Sequence, residues 1–173
     1  MADFFRRLTP WQATLLLVVT SSLLRLVVST GVGLGTDEAH YALYGLHLDI
    51  SYYDHPPMIG WLQAIVLLFN DSDLALRIMP MLLFGFSCLA LHQVTYTLFP
   101  HKTPWLGFIS VVLLQSGLMF QLIGLSMLPD GPLLLLGLLT ILVLHKILTH
   151  DSIWSWLALG VVLGLAGLSK YTA

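Results

Sequence analysis

Long apolar runs dominate this chain, and short polar segments separate them. A helix needs about 20 predominantly apolar residues to cross a bilayer. Five runs meet or nearly meet that length: residues 11–30, 74–98, 105–125, 132–148 and 153–169. Pro80 lies early in the second run and should kink it, because proline removes a backbone hydrogen bond and clashes with the preceding turn. The pattern predicts a helical protein that crosses the membrane several times.

The longest polar interval, residues 31–73, follows the first predicted span and has helical patterning of its own. Residues 38–48 place four apolar side chains on one helix face. Residues 56–69 form a second amphipathic stretch, which begins with two prolines, as helices often do. Trp61 in that stretch is suited to the headgroup level of a membrane. We predict two helices that lie along the membrane surface.

Composition agrees with the pattern. The chain is 57% hydrophobic and 9% charged, whereas a soluble domain carries about 25% charged residues. So few charges cannot cover a water-facing surface, which makes the chain an integral membrane protein. The net charge of -2 gives no electrostatic basis for binding nucleic acid. The single cysteine, Cys88, lies in an apolar run, so neither a disulfide nor a cysteine metal site is expected.

The distribution of basic residues predicts an orientation. Arg6 and Arg7 precede the first span, whereas residues 31–73 contain acidic residues and neither lysine nor arginine. The positive-inside rule therefore places the N-terminus in the cytoplasm and residues 31–73 outside. Alternating the remaining spans also places residues 126–131 and Lys170 at the outer level. We expect the chain to be a fragment of a longer protein, because residues 170–173 follow a helical run with no stop signal, cap or tail.

Asp37 and Glu38 directly follow a glycine-rich segment after the first span. One interpretation is structural: Thr36 or Asp37 caps the next helix, and an acid in the first turn faces the helix dipole. The other is catalytic: a carboxylate at the membrane surface acts as general base or orients an acceptor hydroxyl. The residues alone leave both interpretations open.

Asp54 and His55 belong to a cluster of polar and aromatic residues in the same interval. Carboxylate and imidazole are both ordinary ligands of a divalent cation, so the two residues are candidate metal ligands. Most metal sites need three or four ligands. The alternative is an interfacial loop with aromatic anchors.

Three other charged residues also have two interpretations, and a fourth is a site candidate because of its position. Asp130 either belongs to a turn built from Pro, Asp and Gly or is a second carboxylate of the outer cavity. Lys170 and Arg77 either snorkel to the interface or supply a cation for a lipid-linked phosphate. Arg25 lies within the first span, where a charge is costly, which makes it a site candidate whose partner the sequence does not identify.

Four motifs along nearly the whole chain resemble the bacterial branch of the protein O-mannosyltransferase superfamily. They are TDEAHY at 36–41, YYDHPPMIGW at 52–61, LPDGPL at 128–133 and GLAGLSKY at 164–171. This superfamily consists of GT-C fold enzymes and includes the aminoarabinose transferase that modifies lipid A. The resemblance implies an all-α, multi-spanning GT-C bundle with amphipathic helices in its first outer loop. It makes residues 1–173 the N-terminal part of one transmembrane domain.

The resemblance also implies roles for the acidic residues. Asp37 matches the acid after the first span, which is taken as the catalytic base or as the group that orients the acceptor. Glu38 is its usual companion, and Asp130 matches a second acid near the cavity.

The remaining implied roles concern the donor phosphate. Asp54 and His55 match an acidic–basic pair before two prolines, which in the aminoarabinose transferase is Glu-Lys. There the acid helps to bind a metal and the lysine faces the donor phosphate, whereas this chain has histidine at the second position. Lys170 matches a lysine that contacts the carrier phosphate. A divalent cation is therefore an implied cofactor.

The implied reaction is transfer of a sugar from a polyprenyl-phosphate donor to lipid A, a glycan or a protein hydroxyl. It takes place at the outer face of the bacterial inner membrane and inverts the anomeric centre. The implied partners are this donor, a lipid or protein acceptor and membrane lipids. The alternative is a transporter or flippase subunit, motivated by the several spans and Arg25. A transporter predicts polar residues near the midplane, whereas here they cluster at one level. A non-catalytic scaffold would not explain that cluster.

Overall fold

The computed structural model describes residues 8–173, and all regular structure in that range is α-helical. Arg6 and Arg7, which support the predicted orientation, lie outside the described residues. The helices are α1 (Pro10–Ser29), α2 (Thr36–Leu46), α3 (Met58–Leu67), α4 (Asp73–Leu76), α5 (Ile78–Leu98), α6 (Leu106–Ser116), α7 (Leu118–Leu125), α8 (Asp130–Thr149) and α9 (Ile153–Ser169). The prediction of an all-α protein is confirmed.

Within residues 8–173, three helical segments are long and apolar enough to cross a membrane. They are α1, the Asp73–Leu98 segment that joins α4 to α5, and α8. The last helix, α9, is apolar but has 17 residues, which is at the short end of the usual span length. The predicted span at residues 105–125 differs most, because α6 and α7 are bent by 84° at Gly117. Gly117 has an extended backbone, so it ends one helix and begins the next.

Arg25 in α1 fills the space beside this break. Its Nη2 donates hydrogen bonds to Oε1 of Gln121 at 2.8 Å and of Gln115 at 3.4 Å. Its guanidinium carbon lies 4.6 Å from the centroid of the Phe84 ring. Gln121 donates in turn to the carbonyl of Gln115, near the end of α6, where the broken helix leaves carbonyls without helical partners. Within residues 8–173 the ion pairs do not include Arg25, so its hydrogen-bond partners are uncharged: the two glutamine amides and the Ser21 hydroxyl, to which Nη1 donates at 3.3 Å.

The interruption expected from Pro80 falls three residues earlier, at Arg77, between α4 and α5. Pro80 lies in the first turn of α5, where its missing N–H is tolerated. In a helix without proline, the N–H of residue 80 would donate a hydrogen bond to the Leu76 carbonyl. Here that carbonyl accepts a hydrogen bond from Gln63 Nε2 at 3.4 Å. A side chain from α3 thus replaces the lost backbone bond.

The two helices predicted between the first and second spans are α2 and α3, and they pack closely together. A Cβ atom on Gly45 of α2 would lie 2.8 Å from the Leu67 side chain of α3. Tyr41 and Ile59, one from each helix, form a buried cluster with Met127. This cluster packs the helix pair against the turn before α8, the helix that begins at Asp130.

The bundle core lies around α5. The N-terminal half of α5 packs against α6 and α7 through Phe84, Val111 and Ile123. The C-terminal half of α5 packs against α8, and α9 packs on α8. His92 of α5 is buried, and its Nδ1 lies 2.7 Å from the Thr14 hydroxyl of α1. Four candidate residues lie together at one end of the bundle: Asp37, Asp54, Asp130 and Lys170.

Candidate active site

Tyr41 marks the centre of the polar end of the bundle. It is buried, and burial together with the charges of Asp37, Asp54 and Asp130 raises its pKa to about 12. These three carboxylates come from α2, from the α2–α3 loop and from the start of α8. The fold therefore brings three of the predicted acids close to one phenol. Sequence analysis did not single out Tyr41, although its position one helical turn after Asp37 places it on the same side of α2.

Asp37 lies exposed in the first turn of α2. Gly35, and neither Thr36 nor Asp37, is the N-cap of this helix, so that part of the structural interpretation is wrong. Glu38 takes the capping contact, because its Oε2 accepts a hydrogen bond from the Gly35 N–H at 2.8 Å. Across the part of the chain that the structure describes, Asp37 forms no ion pair. Its carboxylate is open to a ligand.

Glu38 and Arg77 form a buried, two-point ion pair. Arg77 Nε lies 3.0 Å from Glu38 Oε1, and Nη2 lies 2.9 Å from Oε2. Arg77 also donates to the carbonyls of Val32 at 2.7 Å and Gly33 at 2.8 Å. Its side chain is 2% exposed, so it is not presented to a donor phosphate. The pair instead fixes the glycine-rich segment that leads into α2 and thereby positions Asp37.

Asp54 is held by neighbours on both of its oxygens. Tyr44 donates a hydrogen bond to Oδ1, while His55 Nδ1 and His40 Nε2 lie 3.1 and 3.6 Å from Oδ2. The Tyr44 hydrogen bond, with help from His55, lowers the pKa of Asp54 to about 2. Tyr44 is itself braced by stacking on Tyr52, with ring centroids 3.7 Å apart. Sequence analysis missed Tyr44 as a partner, although His40 and Tyr44 are spaced to share one face of α2.

Replacing Tyr44 with phenylalanine should raise the pKa of Asp54 from about 2 towards its ordinary value of 3.8, because the hydrogen bond to the carboxylate is lost. The depressed pKa means that ionised Asp54 stabilises the fold fully above pH 3.8, and this is lost as pH falls towards 2. Carboxyl-carbon NMR of labelled protein in micelles measures the titration. Tyr53→Phe, which alters a fully exposed ring, is the control. An unchanged titration in Tyr44→Phe would contradict this account.

The metal-ligand prediction concerns Asp54 and His55. In the described part of the chain, the structure groups no three His, Cys, Asp or Glu side chains in a way that suits a metal ion. Two adjacent residues supply fewer protein ligands than a resident metal usually needs. The residues described here therefore do not fit a complete metal site. The cation implied by the resemblance stays a prediction.

Asp130 and Lys170 form an ion pair at the same end of the bundle. Lys170 Nζ lies 2.7 Å from Asp130 Oδ1, and both side chains are about one-third exposed. Asp130 begins α8 and Lys170 follows α9, so the pair joins two helix ends that are 40 residues apart. The next residue, Tyr171, donates to the Tyr52 carbonyl at 3.3 Å. Lys170 thus lies beside the loop that carries Asp54.

An all-helical membrane bundle with acids and a lysine gathered at one end agrees with the class that the sequence motifs resemble, the membrane glycosyltransferases of the GT-C fold. The family model described as dolichyl-phosphate-mannose-protein mannosyltransferase matches residues 54–173. This match covers more than half of the chain, and the chain belongs to that family. Comparison with curated proteins and with solved structures gave no match.

Family membership confirms the predicted GT-C fold and a multi-pass membrane protein of mannosyltransferase type. The matched range begins at Asp54 and therefore contains Asp54, His55, Asp130 and Lys170. Asp37 lies before the matched range, so its assignment to the candidate site rests on its position in the structure and not on the family match.

Proposed function

We propose that the protein transfers a sugar from a polyprenyl-phosphate donor to an acceptor hydroxyl, with inversion at the anomeric carbon. One observation carries the proposal: an open carboxylate, Asp37, and a cation that is about one-third exposed, Lys170, lie at the same end of an apolar helix bundle. The acceptor side needs a base and the donor side needs a cation. A lipid-linked donor also explains why the site lies at the end of membrane helices.

Each group has a defined part in the proposed step. The acceptor oxygen attacks the anomeric carbon, its proton passes to Asp37, and the bond from that carbon to the carrier phosphate breaks. The electron pair of the broken bond stays on the phosphate, whose negative charge Lys170 stabilises. Asp130 holds Lys170 in place. His55, whose Nε2 lies 3.5 Å from the Tyr41 hydroxyl, faces the same area and contacts the donor phosphate in this scheme.

The two buried charges have a positioning part. Glu38 and Arg77 keep the segment before α2 in one conformation, so that Asp37 is presented at a fixed place. The N–H groups of Arg77 are engaged by Glu38 and by backbone carbonyls. Arg77 therefore affects the binding of the sugar donor only by fixing the segment before α2.

We further place the protein in the bacterial branch of the superfamily and in the inner membrane, with this site on the outer side. Support comes from the resemblance of the four motifs and from residues 31–73, which contain no lysine or arginine. The acceptor in this proposal is lipid A, another glycan or a protein hydroxyl.

The transporter alternative gains one feature from the fold, the broken α6–α7 pair beside Arg25. Broken helices near the midplane are typical of transporters. However, the guanidinium of Arg25 is buried and engaged by two glutamine amides. The family to which the chain belongs also consists of transferases. We therefore assign the break a structural part in the bundle.

Replacing Lys170 with glutamine should lower kcat/KM for the lipid-phosphate donor, because Lys170 stabilises the negative charge that develops on the leaving phosphate. A hydrogen bond to a charged group contributes about 1.5–3 kcal/mol, so we expect kcat/KM to fall by about 10- to 100-fold. Initial rates against donor concentration measure this, with Lys146→Gln at the opposite end of α8 as the control. An unchanged kcat/KM in Lys170→Gln would remove Lys170 from the donor site.

A further inference from the structure

The segment that follows α9 is joined to the α2–α3 loop by hydrogen bonds of one hydroxyl group. The Tyr171 hydroxyl donates to the Tyr52 carbonyl at 3.3 Å and lies 3.2 Å from Ser51 Oγ. A phenol both donates and accepts, so the second bond runs from the Ser51 hydroxyl to Tyr171. The partners are 119 and 120 positions apart in the chain. These two bonds, the Tyr171 contact, therefore connect distant parts of the fold.

On the loop side, the Tyr171 contact holds a residue that supports Asp54. The Tyr52 ring stacks on the Tyr44 ring, with centroids 3.7 Å apart, and the Tyr52 hydroxyl donates to the Tyr44 carbonyl at 2.8 Å. A Cβ atom on Gly60 would lie 2.7 Å from the Tyr52 hydroxyl, so α3 packs closely on this ring. Tyr44 in turn donates to Asp54 Oδ1. A shift of the Tyr52 backbone is therefore passed on to Asp54.

On the other side, the Tyr171 contact adjoins Lys170. Helix α9 ends at Ser169, which is completely buried and whose hydroxyl donates to the Leu165 carbonyl. Lys170 follows, with its Nζ 2.7 Å from Asp130 Oδ1, and Tyr171 comes next. The backbone of Lys170 is thus fixed by the helix on one side and by the Tyr171 contact on the other.

We propose that Tyr171 is a positioning residue, whose hydroxyl sets the distance between Lys170 and the loop that carries Asp54 and His55. This inference rests on the proposed function, in which Lys170 and His55 act on the same phosphate group. Groups on two separate elements act together on one phosphate only when their separation is held constant. Tyr171 does not touch the reacting atoms in this scheme.

Two variants test the contact in the full-length protein in membranes. The donor is undecaprenyl phosphate that carries mannose or aminoarabinose, whichever the wild type uses. Tyr171→Phe keeps the ring and should lower kcat/KM by about 3- to 10-fold, the usual effect of a neutral hydrogen bond. Ser51→Ala should cause a smaller loss, and the double variant should be no slower than Tyr171→Phe alone, since both changes break one contact. Tyr53→Phe, in an exposed ring of the same loop, should keep the wild-type rate.

Asp54 provides a second measurement, which does not depend on activity. Its pKa of about 2 is due first to the Tyr44 hydrogen bond. Release of the loop in Tyr171→Phe should weaken that bond and raise the pKa of Asp54 towards 3.8. Carboxyl-carbon NMR measures this titration, and thermal melting measures stability. A tyrosine with only a structural part would lower the melting temperature and leave the titration of the folded protein unchanged.

Three results would overturn the proposal: wild-type kcat/KM in Tyr171→Phe, additive losses in the double variant, or an unchanged titration of Asp54. Each leaves the proposed function in place when the wild type transfers sugar. No transfer by the wild type from either donor would count against the proposed function. The titration of Asp54 in Tyr171→Phe would then decide by itself whether Tyr171 positions the loop.

Discussion

Replacing Asp37 with asparagine is expected to abolish sugar transfer and to leave the stability of the protein unchanged. Asp37 is exposed in the first turn of α2, and the helix cap is formed by Gly35 and Glu38, so no cap is lost. A general base contributes roughly 10²- to 10⁴-fold to a rate, and we expect kcat to fall by about that factor. Transfer of labelled sugar in membranes measures activity, and thermal melting in detergent measures stability.

Asp71→Asn is the matched control for this variant, because Asp71 is also an exposed acid between the first two predicted spans. It should retain the wild-type rate. If Asp37→Asn kept full activity, the acceptor proton would have to pass to another group, and Asp54 and Asp130 would be the next acids to test. If both variants lost activity, the effect would reflect the general negative charge of this surface.

Replacing Arg77 with methionine should destabilise the fold by about 3–5 kcal/mol, the usual cost of leaving one partner of a buried ion pair alone. The variant leaves Glu38 buried with a charge and no cation, and it removes the donors to the carbonyls of Val32 and Gly33. Unfolding in mixed micelles with a denaturing detergent gives the free energy of unfolding.

A double variant separates the charge effect from the loss of packing. Glu38→Leu combined with Arg77→Met removes both charges and should be more stable than the sum of the two single changes predicts. Lys102→Met, at an exposed cation, should change the free energy of unfolding by no more than about 0.5 kcal/mol. Wild-type stability in Arg77→Met would contradict the structural part given to this pair.

The spans were predictable where one rule sufficed. A helix that crosses a bilayer must be long and apolar, and α1, α5 and α8 satisfy that rule from the sequence alone. The break at Gly117 was not predictable in the same way, because the residues around it are as apolar as those of a continuous span. Its polar support comes from Arg25, which is 96 residues away from Gln121 in the chain. A window of local sequence does not contain that contact.

The same limit applies to the site. The motifs and the charge distribution located Asp37, Asp130 and Lys170 at one end of the bundle before any geometry was known. They did not show that Glu38 pairs with Arg77, because the two residues are 39 positions apart and both also fit an exposed surface. The tyrosines of α2 contact Asp54 and His55 of the α2–α3 loop, and the sequence alone does not show these contacts.

The most direct test of the central claim compares two donors of the same labelled sugar. Membranes from cells that express the whole gene are incubated with the sugar on polyprenyl phosphate or on a nucleotide, under conditions that prevent conversion of one into the other. The account predicts transfer from the lipid-linked donor alone, and loss of that transfer in Asp37→Asn. Transfer from the nucleotide donor without the lipid carrier, or no transfer from any lipid-linked sugar, would contradict it.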